Sequence, residues 1–274
     1  MSEKSVRLAY QIRRHALEMT NRGGTSHIGS IFSTADFVAV LYADVLNYHA
    51  DDPKWDGRDR VLLSKGHAGA GIYAALAESG FFPVEELLTH CQNGSRLSGH
   101  VSSKGVPGVE ASTGSLGQGM PMAMGMAMAA KLDGKQHRVF AIVGDGECDE
   151  GAIWEAALFA HQYKLDNFIV TVDYNKMQSL TTCEETLGLE PFTDKWASFG
   201  WHVIRVDGHN HDALKAAYDE AKAAMGKGKP IVVIADTIKG KGVSFMEGDI
   251  LWHYRTARNE EYDAALKELE ANKP

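Results

Sequence analysis

The chain has 274 residues, 44% of them hydrophobic and 23% charged, with a formal net charge of −8. That length suits one large α/β domain, and dispersed basic residues in an acidic chain argue against a nucleic-acid partner. The N-terminal MSEKSVRLAYQIRR lacks the apolar core of a signal peptide, and no stretch reads as long enough to span a bilayer, so the expected location is cytoplasmic, with no membrane partner.

Residues 5–21 read as an amphipathic helix, with Val6, Ala9, Ile12, Ala16 and Met19 near one face, stopping at Gly23-Gly24. A loop over 25–30 and a helix over 33–46 follow. Residues 60–63 read as a short buried strand, 67–79 and 83–91 as helices. Residues 92–112 show no periodicity and hold several glycines, which in a compact domain marks a functional or mobile loop. A helix is expected over 115–132, where Met120, Met122, Met124, Met126 and Met128 alternate among Ala and Gly as core or interface packing. Strands near 140, 169, 203 and 232 complete a set of five. The last three alternate with helices, which favours right-handed parallel crossovers. Helices are expected over 151–163, 195–199, 212–224 and 259–269, and a loop over 181–194. Cys91, Cys148 and Cys183 are too few and too scattered for a disulfide framework or a zinc site.

The most informative stretch is VFAIVGDGECDEGAIWEAALFAHQYKLDNFIVTVDYNKM, residues 139–177. One apolar run ends in Gly144-Asp145-Gly146, and a second ends in Asp173-Tyr174-Asn175. A helical segment lies between them. Parallel strands end at the same sheet edge, where open α/β sheets bind ligands. Asp145 and Asn175 are thereby expected to face one space and offer hard oxygen ligands suited to Mg²⁺ or Ca²⁺. Gly146 allows close backbone approach to a bulky anion such as a diphosphate.

A Gly-Asp-Gly followed thirty residues later by Asn resembles the thiamine diphosphate signature. The resemblance extends to Ser-Lys-Gly-His-Ala (64–68), Ser-Gly-His (98–100), Thr-Gly-Ser-Leu-Gly-Gln-Gly (113–119), Gly-Asp-Gly-Glu-Cys-Asp-Glu-Gly (144–151) and Lys-Gly-Lys-Gly-Val-Ser-Phe-Met-Glu (239–247). In order and spacing, from about residue 5 to about 256, the chain is similar to the N-terminal half of transketolase. The implied fold is the diphosphate-binding domain of the thiamine diphosphate enzymes, a mostly parallel sheet flanked by helices. The implied cofactors are thiamine diphosphate and Mg²⁺, or another divalent cation such as Ca²⁺ or Mn²⁺.

The resemblance assigns Asp145, the Asn175 side chain and the Met177 carbonyl to the metal. It gives His67 and His253 contacts to the diphosphate, and sets His27, His100 and His253 towards substrate hydroxyls and the reacting carbonyl. Histidine suits proton shuttling when its pKa lies near the working pH. Gly114, Ser115 and Leu116 match the segment under the cofactor rings. Gly146 matches the diphosphate amide, and Ser30, Lys65 and Lys239 match further cofactor contacts. Glu150 and Glu155 match a carboxylate network between subunits, against the plainer reading of a solvated acidic face.

Two departures stand out: His27-Ile28-Gly29 replaces the usual His-Pro-Gly, and Trp252-His253-Tyr254 replaces Trp-His-Gly. They bear on the substrate rather than the cofactor. The pyrimidine-binding and C-terminal domains of transketolase find no counterpart here. The expectation is therefore the N-terminal subunit of a split transketolase in an α2β2 assembly, acting on sugar substrates with a C-terminal partner subunit. Alternatives are a split transketolase for a branched or sulfonated sugar, a 2-oxo acid dehydrogenase subunit, and a cofactor-binding scaffold.

Overall fold

A computed structural model describes residues 2–274. Five strands, β1 (Arg60–Leu63), β2 (Val139–Gly144), β3 (Phe168–Tyr174), β4 (His202–Asp207) and β5 (Ile231–Asp236), stand where the sequence predicts them. All pair in parallel, in the order β1-β2-β3-β5-β4. β2 and β3 are buried along their whole length. Alternate side chains feed two separate cores, as a period of two requires. Phe140, Ile142, Ile169, Ile231 and Val233 enter one core, and Val139, Ala141, Val143, Val170 and Val232 the other.

The first core is covered by α1 (Glu3–Gly23), α2 (Ile28–Val40), α3 (Gly69–Glu78), α8 (His211–Ala224) and α9 (Glu260–Ala271). The second is covered by α4 (Gly119–Leu132), α5 (Gly151–Gln162) and α7 (Phe192–Ser198). A single turn, α6 (Cys183–Leu187), lies on the loop after β3. The result is a three-layer sandwich whose strand C-termini open on one edge.

Four expectations need correction. The helix placed at 33–46 begins at Ile28, so only residues 25–27 remain of the first loop. Every residue of α2 is buried, leaving no polar face from which to read its start; it starts because His27 takes a left-handed φ of 76°. The helix placed at 115–132 begins at Gly119, because Gly117 turns the chain at φ 82°. The loop expected over 181–194 contains α6 and the start of α7. Its signal was Thr182 with Glu185 three residues on: the Thr182 hydroxyl accepts from the Glu185 amide at 3.2 Å, an N-cap. Finally, the 18 residues Ile28–Val45 are long and apolar enough to cross a bilayer, but 89% of that window is buried inside the domain. It is a core helix, apolar because protein surrounds it on all sides.

Candidate active site

The strand ends deliver the chemistry. β1 runs into Lys65 and His67, β2 into Asp145, β3 into Asn175 and Met177, and β5 into Lys239. Together with His27 and Ser30 from the start of α2, they line one cavity of about 250 Å³. His100, Gly114, Leu116, Gly146 and His253 also reach it. Gly114 and Gly146 are tightly placed. A Cβ on Gly114 would lie 3.0 Å from the His100 ring, and one on Gly146 3.0 Å from Gln178 Cγ.

Asp145 is buried, and its two oxygens accept the amides of Gly146 at 2.8 Å and Lys176 at 2.6 Å. Lys176 adopts φ 66°, a strained choice for a residue with a side chain, which turns its amide back to Asp145. Burial, with the charge of Asp173 adding to it, pushes the Asp145 carboxyl up to about 6. Among the described residues Asp145 forms no ion pair. Asn175 Nδ2 donates to Asp173 at 2.9 Å, while its Oδ1 accepts from the Met177 amide at 3.1 Å. The Met177 carbonyl already faces a cation, the Lys239 ammonium at 3.3 Å. One unpaired carboxylate, one amide oxygen and one carbonyl suit a divalent cation that keeps phosphate oxygens and water in its shell. Among the described residues no group of three His, Cys, Asp or Glu forms a self-sufficient metal cage.

Four imidazoles crowd the cavity. His27 stands with ring centroids 5.1 Å from His67, 5.5 Å from His100 and 5.0 Å from His253. Burial, helped by the charges of Lys239 and Lys65, lowers His27 to about 4 and His253 to about 3; His67 falls in the same direction. The expectation of a shuttle titrating near neutrality, made for His27, His100 and His253, therefore changes for His27 and His253. Burial keeps His27, His67 and His253 neutral, His27 hydrogen-bonded to Ser26 and His253 accepting from Lys239. Beneath them Lys65 pairs with the fully buried Asp173. Burial raises the Asp173 carboxyl, but Lys65, Thr237 and Ser33 outweigh it and hold it below the usual range. Lys239 is lowered to about 8 by burial and by Lys65, and contacts His253 Nδ1 at 2.9 Å.

Three candidates lie elsewhere. Ser115 is exposed beside Gly114 and does not line the cavity, and Glu150 and Glu155 are exposed at the start and on the outer face of α5. Sequence reasoning overlooked two buried carboxylates. Glu147 accepts from Ser64 Oγ, from the Gly117 amide at 2.9 Å and from the Gly144 amide at 3.1 Å, so one side chain ties three cavity segments together. Asp173 gathers Lys65, Ser33, Asn175 and Thr237. The available signal for Asp173 was a charge at the end of an otherwise apolar strand; for Glu147 it was lost among neighbouring acids. Gln178, Ser179 and Tyr254 complete the lining.

The family model "Transketolase, thiamine diphosphate binding domain" matches residues 4–273. The chain belongs to the transketolase family. It is 44% identical over 273 residues to a 6-deoxy-6-sulfo-D-fructose transketolase subunit from Clostridium sp., covering 98% of each chain. It is 38% identical to one of the subunits of the apulose-4-phosphate transketolase of Phocaeicola vulgatus, covering 94% of this chain and 90% of the relative. Among solved structures it resembles the transketolase of Campylobacter jejuni with a TM-score of 0.90 and 30% identity, over 98% of this chain but 43% of that one. The transketolase domain thus accounts for essentially all of this sequence, and for under half of the solved transketolase chain. The chain carries the transketolase thiamine diphosphate-binding domain in its expected α/β form.

Proposed function

We propose that this chain is the cofactor-binding subunit of a two-chain transketolase that moves a two-carbon ketol unit from a ketose to an aldose. The observation that carries the reading is the cavity itself: a buried Asp145 without an ion-pair partner at one strand end and Asn175 at the next line it together with Lys65, Lys239, His67 and His253. Asp145, Asn175 and the Met177 carbonyl would hold Mg²⁺. Lys65, His67, Lys239 and His253 would face the diphosphate, with Ser30 and the Gly146 amide beside them, and Gly114 and Leu116 the rings. Bound thiamine diphosphate supplies the nucleophilic carbon and the electron sink for breaking the bond next to the ketose carbonyl. His27 and His100 would hold the sugar oxygens in place, and neutral His27 can donate or accept without first losing a proton.

Relatives of nearly the same length are called subunits, and this supports a partner carrying the pyrimidine-binding and C-terminal domains. The face of α4 and α5 supports it as well. Met122, Leu132, Leu158, Phe159 and Tyr163 are exposed there, an apolar surface suited to burial. Glu150 and Glu155 lie on the same side, where an inter-subunit carboxylate network would sit. An α2β2 assembly follows from two-fold pairing of such heterodimers. Three free cysteines, two of them buried, agree with a cytoplasmic setting.

The proposed donor is a ketose with an anion at the end away from the carbonyl. The relatives' names, which print a 6-sulfo sugar and a sugar 4-phosphate for those proteins, support this reading, and the bulky Tyr254 lies at the cavity against His27 and His253. The deciding experiment mixes this chain with its purified partner, thiamine diphosphate, Mg²⁺ and a panel of sulfonated and phosphorylated ketoses, then follows ketol transfer to an aldose. The pair is expected to turn over and this chain alone is not. Robust turnover by the single chain would overturn the two-chain reading.

A further inference from the structure

Outside the cavity, a second polar cluster is buried between α1, α2 and the loop entering α8. Its centre is Asp36, 5% exposed. Arg13 grips both Asp36 oxygens, at 2.9 and 2.6 Å. His211 Nε2 meets Oδ1 at 3.2 Å, and His209 Nδ1 meets Oδ2 at 2.6 Å. An ionised carboxylate only accepts, so His209 Nδ1 carries a proton. The other ring nitrogen is equally constrained. His209 Nε2 lies 2.8 Å from the amide nitrogen of Ile238, and a backbone N–H only donates. Nε2 must therefore be unprotonated. This one ring spans from Asp36 to the segment that follows β5, and it does so only as the neutral Nδ1–H tautomer.

Ile238 immediately precedes Lys239, which lines the cavity and contacts His253 and the carbonyls of Met177 and Gln178. We propose that His209 is a positioning residue: its unprotonated Nε2 holds the Ile238 amide and so aims Lys239 into the cavity, and protonation of that nitrogen releases the segment. The proposal rests on the functional reading above only for what Lys239 contacts. The charged surroundings of the ring are Asp36 from α2, Arg13 from α1, His211 at the start of α8, Asp207, which accepts the His209 amide at 2.9 Å, and Glu247 with its partner Lys241. The ring side chain is 14% exposed, so protons reach it without unfolding.

The test uses the full chain, its His209→Gln and His209→Ala variants, and nitrogen-15 NMR with amide hydrogen exchange. Glutamine keeps an acceptor near the Nε2 position but cannot be protonated in the working range. The wild-type ring is expected to show a bare Nε2 at neutral pH. Protection of the Ile238 amide is expected to fall about fivefold or more in His209→Ala, the worth of one hydrogen bond, and to persist in His209→Gln. Acidification, corrected for intrinsic exchange, is expected to reduce protection in the wild type and to leave His209→Gln flat. A proton on Nε2 at neutral pH, equal protection in wild type and His209→Ala, or failure of glutamine to restore it would each overturn the acceptor role. Affinity for inorganic diphosphate with Mg²⁺ is expected to drop severalfold in His209→Ala and recover in His209→Gln. An unchanged affinity would overturn the link to Lys239. Absence of diphosphate binding in the wild type would count against the cofactor reading while the exchange data still decide the role of His209.

Discussion

Replacing Asp145 by alanine separates binding from folding. The carboxylate is 3% exposed, its oxygens accept two backbone amides, and the Cys183 thiol lies against it. Removing a charged partner from a buried ionic contact costs about 3–5 kcal/mol, so affinity for Mg²⁺ and thiamine diphosphate should fall by about two to nearly four orders of magnitude. The free chain feels two opposing effects. The amides of Gly146 and Lys176 lose their acceptors, at about 1–3 kcal/mol each. Against that, a buried carboxylate without a cation disappears, and its desolvation alone costs several kcal/mol. Those contributions largely cancel, so Tm of the chain without ligands should stay within about 5 °C of wild type. Calorimetric titration of the reconstituted complex and thermal melts of the chain make the comparison. Unchanged cofactor affinity would refute the metal assignment, and a collapse of Tm would refute the cancellation.

His100→Ala should lower kcat or raise the donor KM by at least about tenfold with thiamine diphosphate affinity intact, because His100 is assigned to the sugar; normal kinetics with the reconstituted pair would return it to a surface role. Tyr254→Gly should widen the cavity mouth and shift relative kcat/KM among ketoses of different length without altering cofactor affinity; an unchanged ranking over the donor panel would rule Tyr254 out as a selector. Asp36→Asn should cost about 3–5 kcal/mol at neutral pH by stranding Arg13, read by urea unfolding. Although burial works against its charge, Arg13, His209 and His211 hold the Asp36 carboxyl well below 3.8 in the fold. Its stabilisation is therefore complete above that value and lost as pH falls through the lower folded value. The wild-type chain should lose stability more steeply than Asp36→Asn in that acid window, and parallel curves would refute the assignment.

The sheet was legible because β2, β3 and β5 are short apolar runs with a turn signal at the end, and because Gly144-Asp145 and Asn175 mark two of those ends unambiguously. The helices over the first core were less so. α2 is buried on every side, so its period carried no phase, and its start depended on the backbone angle of His27. Most of the cavity lining was legible through motifs, from His27 to His253, but Glu147, Gln178 and Ser179 were not. What the sequence hid were contacts that need three dimensions. Asp36 and His211 are 175 positions apart, and Glu147 meets Ser64 across 83. The neutrality of the histidines was also hidden, since it follows from burial beside two lysines rather than from residue type.

Charge around the cavity explains why cation and diphosphate should enter together. Two lysines, Lys65 and Lys239, stand with three carboxylates, Asp145, Glu147 and Asp173, while burial keeps three of the four histidines neutral. Lys65 is already taken by Asp173, and Glu147 is engaged by Ser64 and two amides. That leaves Asp145 as the free anion and Lys239 as the cation nearest the Met177 carbonyl. A divalent ion alone would sit beside Lys239 and be repelled by it. A diphosphate alone would face Asp145. Together the ion would satisfy Asp145 and the diphosphate would draw Lys239 off the carbonyl, so each would remove the charge conflict that opposes the other. The aim of Lys239 then matters as much as the presence of Asp145, and it passes through Ile238 to His209.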